Sequence, residues 1–271
     1  MQKKYYKNHV IQKKWGQIFL KDQNIIHSII SILNLKKYQN VIEIGPGLGA
    51  LTKPISDIID FLILIERDPN LVNRLLHTFT SKKVKIFNKD AMTIDFSKLL
   101  TNPNQKIRLI GNLPYNISTK LIIHLYKYIN IIHDMHFMLQ KEVAQRIVAQ
   151  PNNKAYGRLS IFAQYYCKVQ ALLEVPKKSF IPIPKVESMI VQFIPYHTNN
   201  PYPTVNISLL SLLTKFAFHQ RRKIIHNSLS SLLNSTEIIQ CGINTESRAE
   251  NLTIQQFCKL TTILHHKYNL N

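Results

Sequence analysis

Five short apolar runs, each handing over to a stretch of helical character, organise the first half of the chain: Val41–Gly45, Phe61–Glu66, Lys83–Asn88, Ile107–Asn112 and Asp134–Leu139. Ser118–Ile129 and Lys141–Gln150 are the clearest of the helical stretches. Parallel neighbours need a crossover long enough to hold a helix, so this alternation predicts a mostly parallel sheet with helices on both faces. An amphipathic helix over about Asp22–Leu33 precedes the first strand, with Asp22 as its N-cap. After a helix over Tyr156–Tyr166, two β runs, Val169–Val175 and Ser188–Ile194, are joined by the Pro-rich loop Pro176–Pro184. Such a connection predicts an antiparallel pair at one edge of the sheet. The polar, Pro-rich stretch Pro195–Pro203 reads as a boundary. The expected organisation is a Rossmann-like α/β domain over 1–196 and a small α-helical C-terminal domain over 203–271. The latter has helices at Ile207–Phe218, His219–Leu233 and Ile254–Tyr268.

The first strand-to-helix turn, Glu43-Ile44-Gly45-Pro46-Gly47-Leu48-Gly49-Ala50, satisfies G-x-G-x-x-A, and Glu66 closes the second strand about twenty residues on. A glycine turn lets backbone approach a nucleoside ligand, and a carboxylate at the next strand end suits ribose hydroxyls. Nicotinamide dinucleotides and S-adenosylmethionine share both needs, so this motif alone leaves an oxidoreductase open. Three other features favour S-adenosylmethionine. Asp90 ends the third strand, where its carboxylate can accept from an adenine amine or cap the following turn. Gly16-Gln17-Ile18-Phe19-Leu20 precedes the first helix and can close over a cofactor. The third is Gly111-Asn112-Leu113-Pro114-Tyr115, which ends the fourth strand. Pro114 biases Leu113 away from helical geometry and so aims its carbonyl. That carbonyl and the Asn112 side-chain oxygen can accept from one exocyclic NH2, with Tyr115 flat against the base.

The chain has 35 Lys+Arg against 15 Asp+Glu, a net charge of +20, which favours a polyanionic partner. Its richness in Ile, Lys and Asn tempers that inference, since nucleotide bias alone produces such a composition. Hydrophobic residues make up 45%, enough for a packed globular chain. Cys167, Cys241 and Cys258 are scattered without metal-ligand spacing, and His133-x-x-His136 has no acidic or thiolate partner in register, so no metal site is expected. No signal peptide and no run of membrane-spanning length is legible, and the expected location is the cytoplasm. His219-Gln220-Arg221-Arg222-Lys223 reads as a basic helix start. It is a candidate RNA-backbone contact through Arg221, Arg222 and Lys223, with Lys3, Lys4, Lys13 and Lys14 as helpers.

Taken together, Gly16–Leu20, Glu43–Thr52, Gly111–Ser118, Leu139–Glu142, Ala155–Ser160, Phe180-x-Pro182-x-Pro184-x-Val186 and Asn251-Leu252 resemble the KsgA-type small-subunit ribosomal RNA adenine N6,N6-dimethyltransferases. The landmarks run from residue 16 to about 252 in family order. The resemblance implies a class I methyltransferase sheet and transfer of methyl groups from S-adenosylmethionine to N6 of two adjacent adenines, with no metal and with S-adenosylhomocysteine as product. It assigns Asn112, Leu113, Pro114 and Tyr115 to catalysis. Gln17, Ile18, Leu20, Gly45, Glu66, Asp90 and Asn112 fall to the cofactor, and Tyr115 and Phe180 to the two faces of the target base. Ile18 departs from the family's usual Asn or His, which removes a side-chain hydrogen bond and leaves a backbone one. The implied partner is small-subunit rRNA within a pre-assembled small subunit, met by a monomer. A purely non-catalytic assembly factor is the other reading that the resemblance leaves open.

Overall fold

The structure, a computed structural model, describes residues 5–100 and 105–269. The chain forms two compact units, Met1–Ala144 with Val169–Pro195, and Gln145–Lys168 with Tyr196–Asn271. The sequence predicts a single domain over 1–196; in the structure Gln145–Lys168 clusters with the helical unit. Lys3 and Lys4, as well as the side chain of Lys13, lie outside what is described.

The first unit holds a seven-stranded sheet built from β1 (Asn40–Ile44), β2 (Leu62–Glu66), β3 (Val84–Asn88), β4 (Ile107–Asn112), β5 (Ile132–Gln140), β6 (Cys167–Val175) and β7 (Ser188–Pro195), in the spatial order β3-β2-β1-β4-β5-β7-β6. The first five strands pair in parallel, and β7 runs antiparallel to β5 with Ser188 opposite Gln140. Every residue of β2 is buried, as expected of a parallel strand covered on both faces. The chain fills one side of β1 first, then returns to its other side at β4. This makes the carboxyl ends of β1 and β4 a topological switch point, where open α/β sheets place their ligand crevice.

The helices are held by ordinary local chemistry. Asp22 caps α1 (Gln23–Leu33), its carboxylate accepting from the amides of Asn24 and Ile25, and Ile26, Ile29 and Leu33 form the buried stripe. The sheet core on that side includes Ile55, Leu64, Ile110, Met138, Phe180 and Ile190. Helix α2 covers Thr52–Ile58, and Asp68 with Pro69 starts α3 (Pro69–Thr78). Helix α4 (Ser118–Leu125) is shorter than expected, because the chain tightens into 3-10 geometry over Tyr126–Ile131 before β5. Where β4 and β5 lie side by side, Arg108 makes a two-pronged contact with Asp134, at 2.9 and 2.8 Å, with both side chains buried. His133 and His136 flank that same carboxylate rather than converging on a separate site. Burial lowers the His136 pKa to about 4.

In the helical unit, after α5 (Lys141–Val148), come α6 (Arg158–Tyr166), α7 (Ile207–His219), α8 (Ile225–Leu229), α9 (Ser235–Gln240) and α10 (Ile254–Asn269). Tyr156, Leu210, Leu213, Ile225, Phe257 and Leu260 lie at its core, with Cys241 and Cys258 buried among them as free thiols. The basic stretch at 219–223 closes α7 instead of opening a helix, which puts cations where the helix dipole favours them. The short α9 is fixed by a reciprocal capping box between Asn234 and Glu237.

Gly111 sits one residue before the end of β4, and a Cβ there would lie 2.6 Å from the backbone oxygen of Ile44. That oxygen is backbone, and Leu113 Cδ2 stands 3.0 Å away as well, which leaves little room to yield. Gly111→Ala is therefore expected to destabilise the protein by roughly 1–3 kcal/mol. Urea unfolding will read this, and an unchanged midpoint would contradict the close packing of β1 against β4.

Candidate active site

At the carboxyl ends of β1, β2 and β4 lies a cavity of about 500 Å³, a size suited to a nucleoside-sized ligand. Gly45 and Gly47 line it with φ of +68° and +59°, left-handed geometry that glycine adopts without strain. The amide of Gly45 is tied to the Ile65 carbonyl, which anchors the turn to β2. The ring of Phe19 presses on this turn so closely that a Cβ at residue 47 would meet it at 3.1 Å.

Two buried carboxylates form the floor. Glu66 accepts from the amides of Gly47 (3.2 Å) and Asp68 (2.9 Å), so the side chain at the end of β2 braces the glycine turn. Burial raises its pKa, opposed by those same amides. Glu43, on β1, accepts a 2.6 Å hydrogen bond from the Thr52 hydroxyl. Burial, with a further contribution from the nearby Glu66 charge, raises its pKa to about 7. Asp90 lines the same cavity; one oxygen accepts from the Met92 amide, and the other pairs with Arg67 at 3.1 Å. The turn-capping role considered for Asp90 is thus present, and its carboxylate still faces the pocket.

Asn112 is fixed in a defined sense. Its side-chain nitrogen donates to the Ile18 carbonyl at 2.9 Å. The amide is thereby oriented, and its Oδ1 accepts from no described residue. The Ile18 backbone carbonyl, expected to serve a cofactor, here accepts from Asn112. Leu113 is held by its amide to the Met138 carbonyl. The Tyr115 ring lines the cavity, pinned by a 2.6 Å hydrogen bond between its hydroxyl and that of Ser188. Leu20 and Ile18 also line the cavity. Gln17 lines it too, although its amide is engaged at both ends by His9, Gln12 and Asp68.

Two expectations are corrected. Phe180 does not face the pocket: it is fully buried in the sheet core, in a two-residue pairing with Leu20. The ring packs better among Ile29, Val175 and Ile190 than it would in solvent, so it is not poised for a base. Arg221 is not a free cation, since its guanidinium donates to the carbonyls of Lys154 and Tyr156 and pairs with Glu250 at 3.0 Å. Arg222 and Lys223 remain exposed. Glu43, Asp68, His9 and Ser188 carry roles that the sequence alone does not assign. Only Glu43 lies inside a recognised motif, while the others are defined by partners far away in the chain.

Sheet order, glycine turn, acidic strand ends and Asn-Leu-Pro-Tyr tip together define a Rossmann-like class I methyltransferase. The backbone agrees, matching the crystal structure of the 23S rRNA methyltransferase ErmE with a TM-score of 0.69 at 20% identity, over 91% of this chain and 99% of that one. A dimethyladenosine transferase from Plasmodium falciparum matches with a TM-score of 0.74 at 26% identity, over 92% and 98%. A family model described as ribosomal RNA adenine dimethylase matches residues 8–266. The ribosomal RNA small subunit methyltransferase A of Blochmanniella pennsylvanica is 60% identical over 98% of this chain and 100% of its own length. That of Citrobacter koseri is 49% identical over 97% of each. The chain belongs to the ribosomal RNA adenine dimethylase family. That membership decides against the nicotinamide oxidoreductase, which the glycine turn alone could not.

The buried acid at Glu43 has a measurable consequence. Its folded-state pKa is raised from 4.5 to about 7, so the native state holds a proton that the unfolded chain releases, and stability falls as pH rises through that window. Glu43→Gln removes this dependence. The variant is expected to gain on wild type between pH 5 and pH 8, by up to about 3 kcal/mol. Urea unfolding at both pH values measures the difference, and a gap independent of pH would contradict the assignment.

Proposed function

We propose that this protein transfers methyl groups from S-adenosylmethionine to N6 of two adjacent adenines in small-subunit rRNA, giving N6,N6-dimethyladenosines. The observation that carries this reading is the orientation of Asn112, whose nitrogen is engaged by Ile18 and whose oxygen is left for a donor in the pocket. When bound, S-adenosylmethionine supplies an electrophilic methyl on a sulfonium, and S-adenosylhomocysteine departs as a neutral thioether. The residues present fit such a molecule: a glycine turn with space above it, a buried carboxylate for vicinal hydroxyls at Glu66, and a second acceptor at Asp90.

Adenine N6 is a weak nucleophile because its lone pair is delocalised into the ring. Asn112 Oδ1 and the Leu113 carbonyl would accept its two N–H bonds, favouring a pyramidal nitrogen and stabilising the positive charge that grows during attack. The nitrogen then loses a proton to water. Tyr115, with its hydroxyl tied to Ser188, supplies a fixed aromatic face for the extruded base. Positioning of this kind can contribute roughly 7–11 kcal/mol to catalysis. Dimethylation and the choice of two adjacent adenines are carried over from the family.

The substrate form is proposed to be rRNA within a pre-assembled small subunit, bound by a monomer in the cytoplasm. Among the described residues no helix is long and apolar enough to cross a membrane. Exposed Arg222 and Lys223 are the proposed backbone contacts at the end of α7. Replacing both with Ala should reduce the steepness of log K against log salt by about 1–2, measured by titration of small subunits. An unchanged slope would remove them from the interface.

Methyl transfer to unmodified small subunits, followed by mass spectrometry of the rRNA, tests the function itself. Glu66→Ala is expected to weaken S-adenosylhomocysteine binding at least tenfold by calorimetry, and near-normal affinity would take it out of the site. Asn112→Ala should abolish transfer while subunit binding persists. Parallel loss of both would mean a structural role instead.

A further inference from the structure

The N-terminal segment crosses the pocket and is fastened there by a network that local sequence does not require. Gln17 Nε2 donates to Asp68 Oδ2 at 2.6 Å, while its Oε1 accepts from the Gln12 amide at 2.8 Å and from His9 Nε2 at 3.0 Å. A backbone amide can only donate, so the atom facing Gln12 is the oxygen and the side-chain nitrogen must face Asp68. The same assignment puts the His9 proton on Nε2. Both His9 and Asp68 are buried, at 4% and 0% exposure. Asp68 divides its oxygens, Oδ1 capping α3 through the Asn70 amide and Oδ2 holding Gln17. Its own amide donates to Glu66 Oε1. A continuous chain of hydrogen bonds therefore joins His9, Gln17, Asp68 and Glu66 to the glycine turn. The His9 ring also meets Phe19 edge-on, and Phe19 is the ring that presses on Gly47.

Resting on the methyltransferase reading, we infer that His9, Gln17 and Asp68 are positioning residues: they latch the N-terminal segment over the cofactor pocket, and Gln17 acts through this latch rather than by touching the cofactor. Both acceptor positions of Gln17 Oε1 are taken by the protein and one N–H of Nε2 is committed to Asp68, so the side chain is held by three bonds to this chain and keeps a single N–H spare. The latch sets how well Phe19, Ile18 and Leu20 enclose the pocket.

The test is a donor–acceptor swap. Gln17→Glu alone sets two carboxylates against each other, and Asp68→Asn alone sets two NH2 groups against each other while keeping the helix cap. The double variant restores one donor opposite one acceptor, with the amide introduced at position 68 donating to the carboxylate introduced at position 17. Each single variant should weaken S-adenosylhomocysteine binding about tenfold and speed amide hydrogen exchange over residues 9–18 in the cofactor-free protein; the double should recover both. At saturating cofactor, kcat of the singles should stay within about twofold of wild type, placing the effect in KM. Wild-type affinity in either single variant overturns the latch. So does lost affinity with unchanged exchange, or with no recovery in the double, since either would make Gln17 a direct ligand. Failure of the wild-type protein to bind S-adenosylhomocysteine would count against the methyltransferase reading, and the exchange measurements would still decide the latch.

Discussion

One amide at the tip of a strand ties this structure together. Asn112 lies at the end of β4, beside β1, where the sheet reverses its order. Its nitrogen reaches across to Ile18, a residue of the N-terminal segment far away in sequence. A free asparagine amide is ambiguous, because rotation exchanges donor and acceptor at little expense. Engaging one end removes the ambiguity, and an acceptor is then presented to the pocket before any ligand arrives. Such preorganisation is what electrostatic stabilisation of a developing positive charge needs, since the dipole does not have to turn during the reaction.

The surroundings of Asn112 follow from that requirement. Gly111 allows β4 to lie against the Ile44 carbonyl, bringing the strand tip to the glycine turn. Pro114 restricts Leu113, and Ser188 stops the Tyr115 ring from swinging by holding its hydroxyl. Beneath them, Glu43 and Glu66 are both buried, and the Glu66 charge adds to the burial that raises the Glu43 pKa, so the site holds more acid than a plain core would accept. The Thr52 hydroxyl and the amides of Gly47 and Asp68 offset part of the desolvation. A pocket floored by two buried acids suits the cationic sulfonium of the proposed cofactor.

Much of this is legible in the chain. The first five strands sit within a few residues of their apolar runs; β2, buried throughout, is apolar from Leu62 to Ile65, as a parallel strand covered on both faces must be, while β3 at the sheet edge is only partly buried. Asp22 declares itself as a cap through residue type and position. The strand-tip residues are readable because a proline and a glycine constrain backbone locally. Phe180 is not, since its burial depends on a two-residue pairing with Leu20, too short for alternation to show which way a side chain points. The basic run at 219–223 looks the same at either end of a helix, and only the folded bounds of α7 reveal which end it occupies. His9 and Asp68 leave no trace, as their meeting requires the whole first unit to be folded. The α9 capping box is a different case: Asn234 and Glu237 carry it at the right spacing, but a helix of six residues has too little periodicity to draw the eye to its cap.

The most direct measurement is a crystal structure with S-adenosylhomocysteine and a short adenine-containing oligonucleotide bound. The expected result is the exocyclic amine of the target adenine about 3 Å from both Asn112 Oδ1 and the Leu113 carbonyl, with the Ile18 contact retained. An Asn112 side chain turned so that its nitrogen enters the pocket, or an adenine held elsewhere, would contradict it.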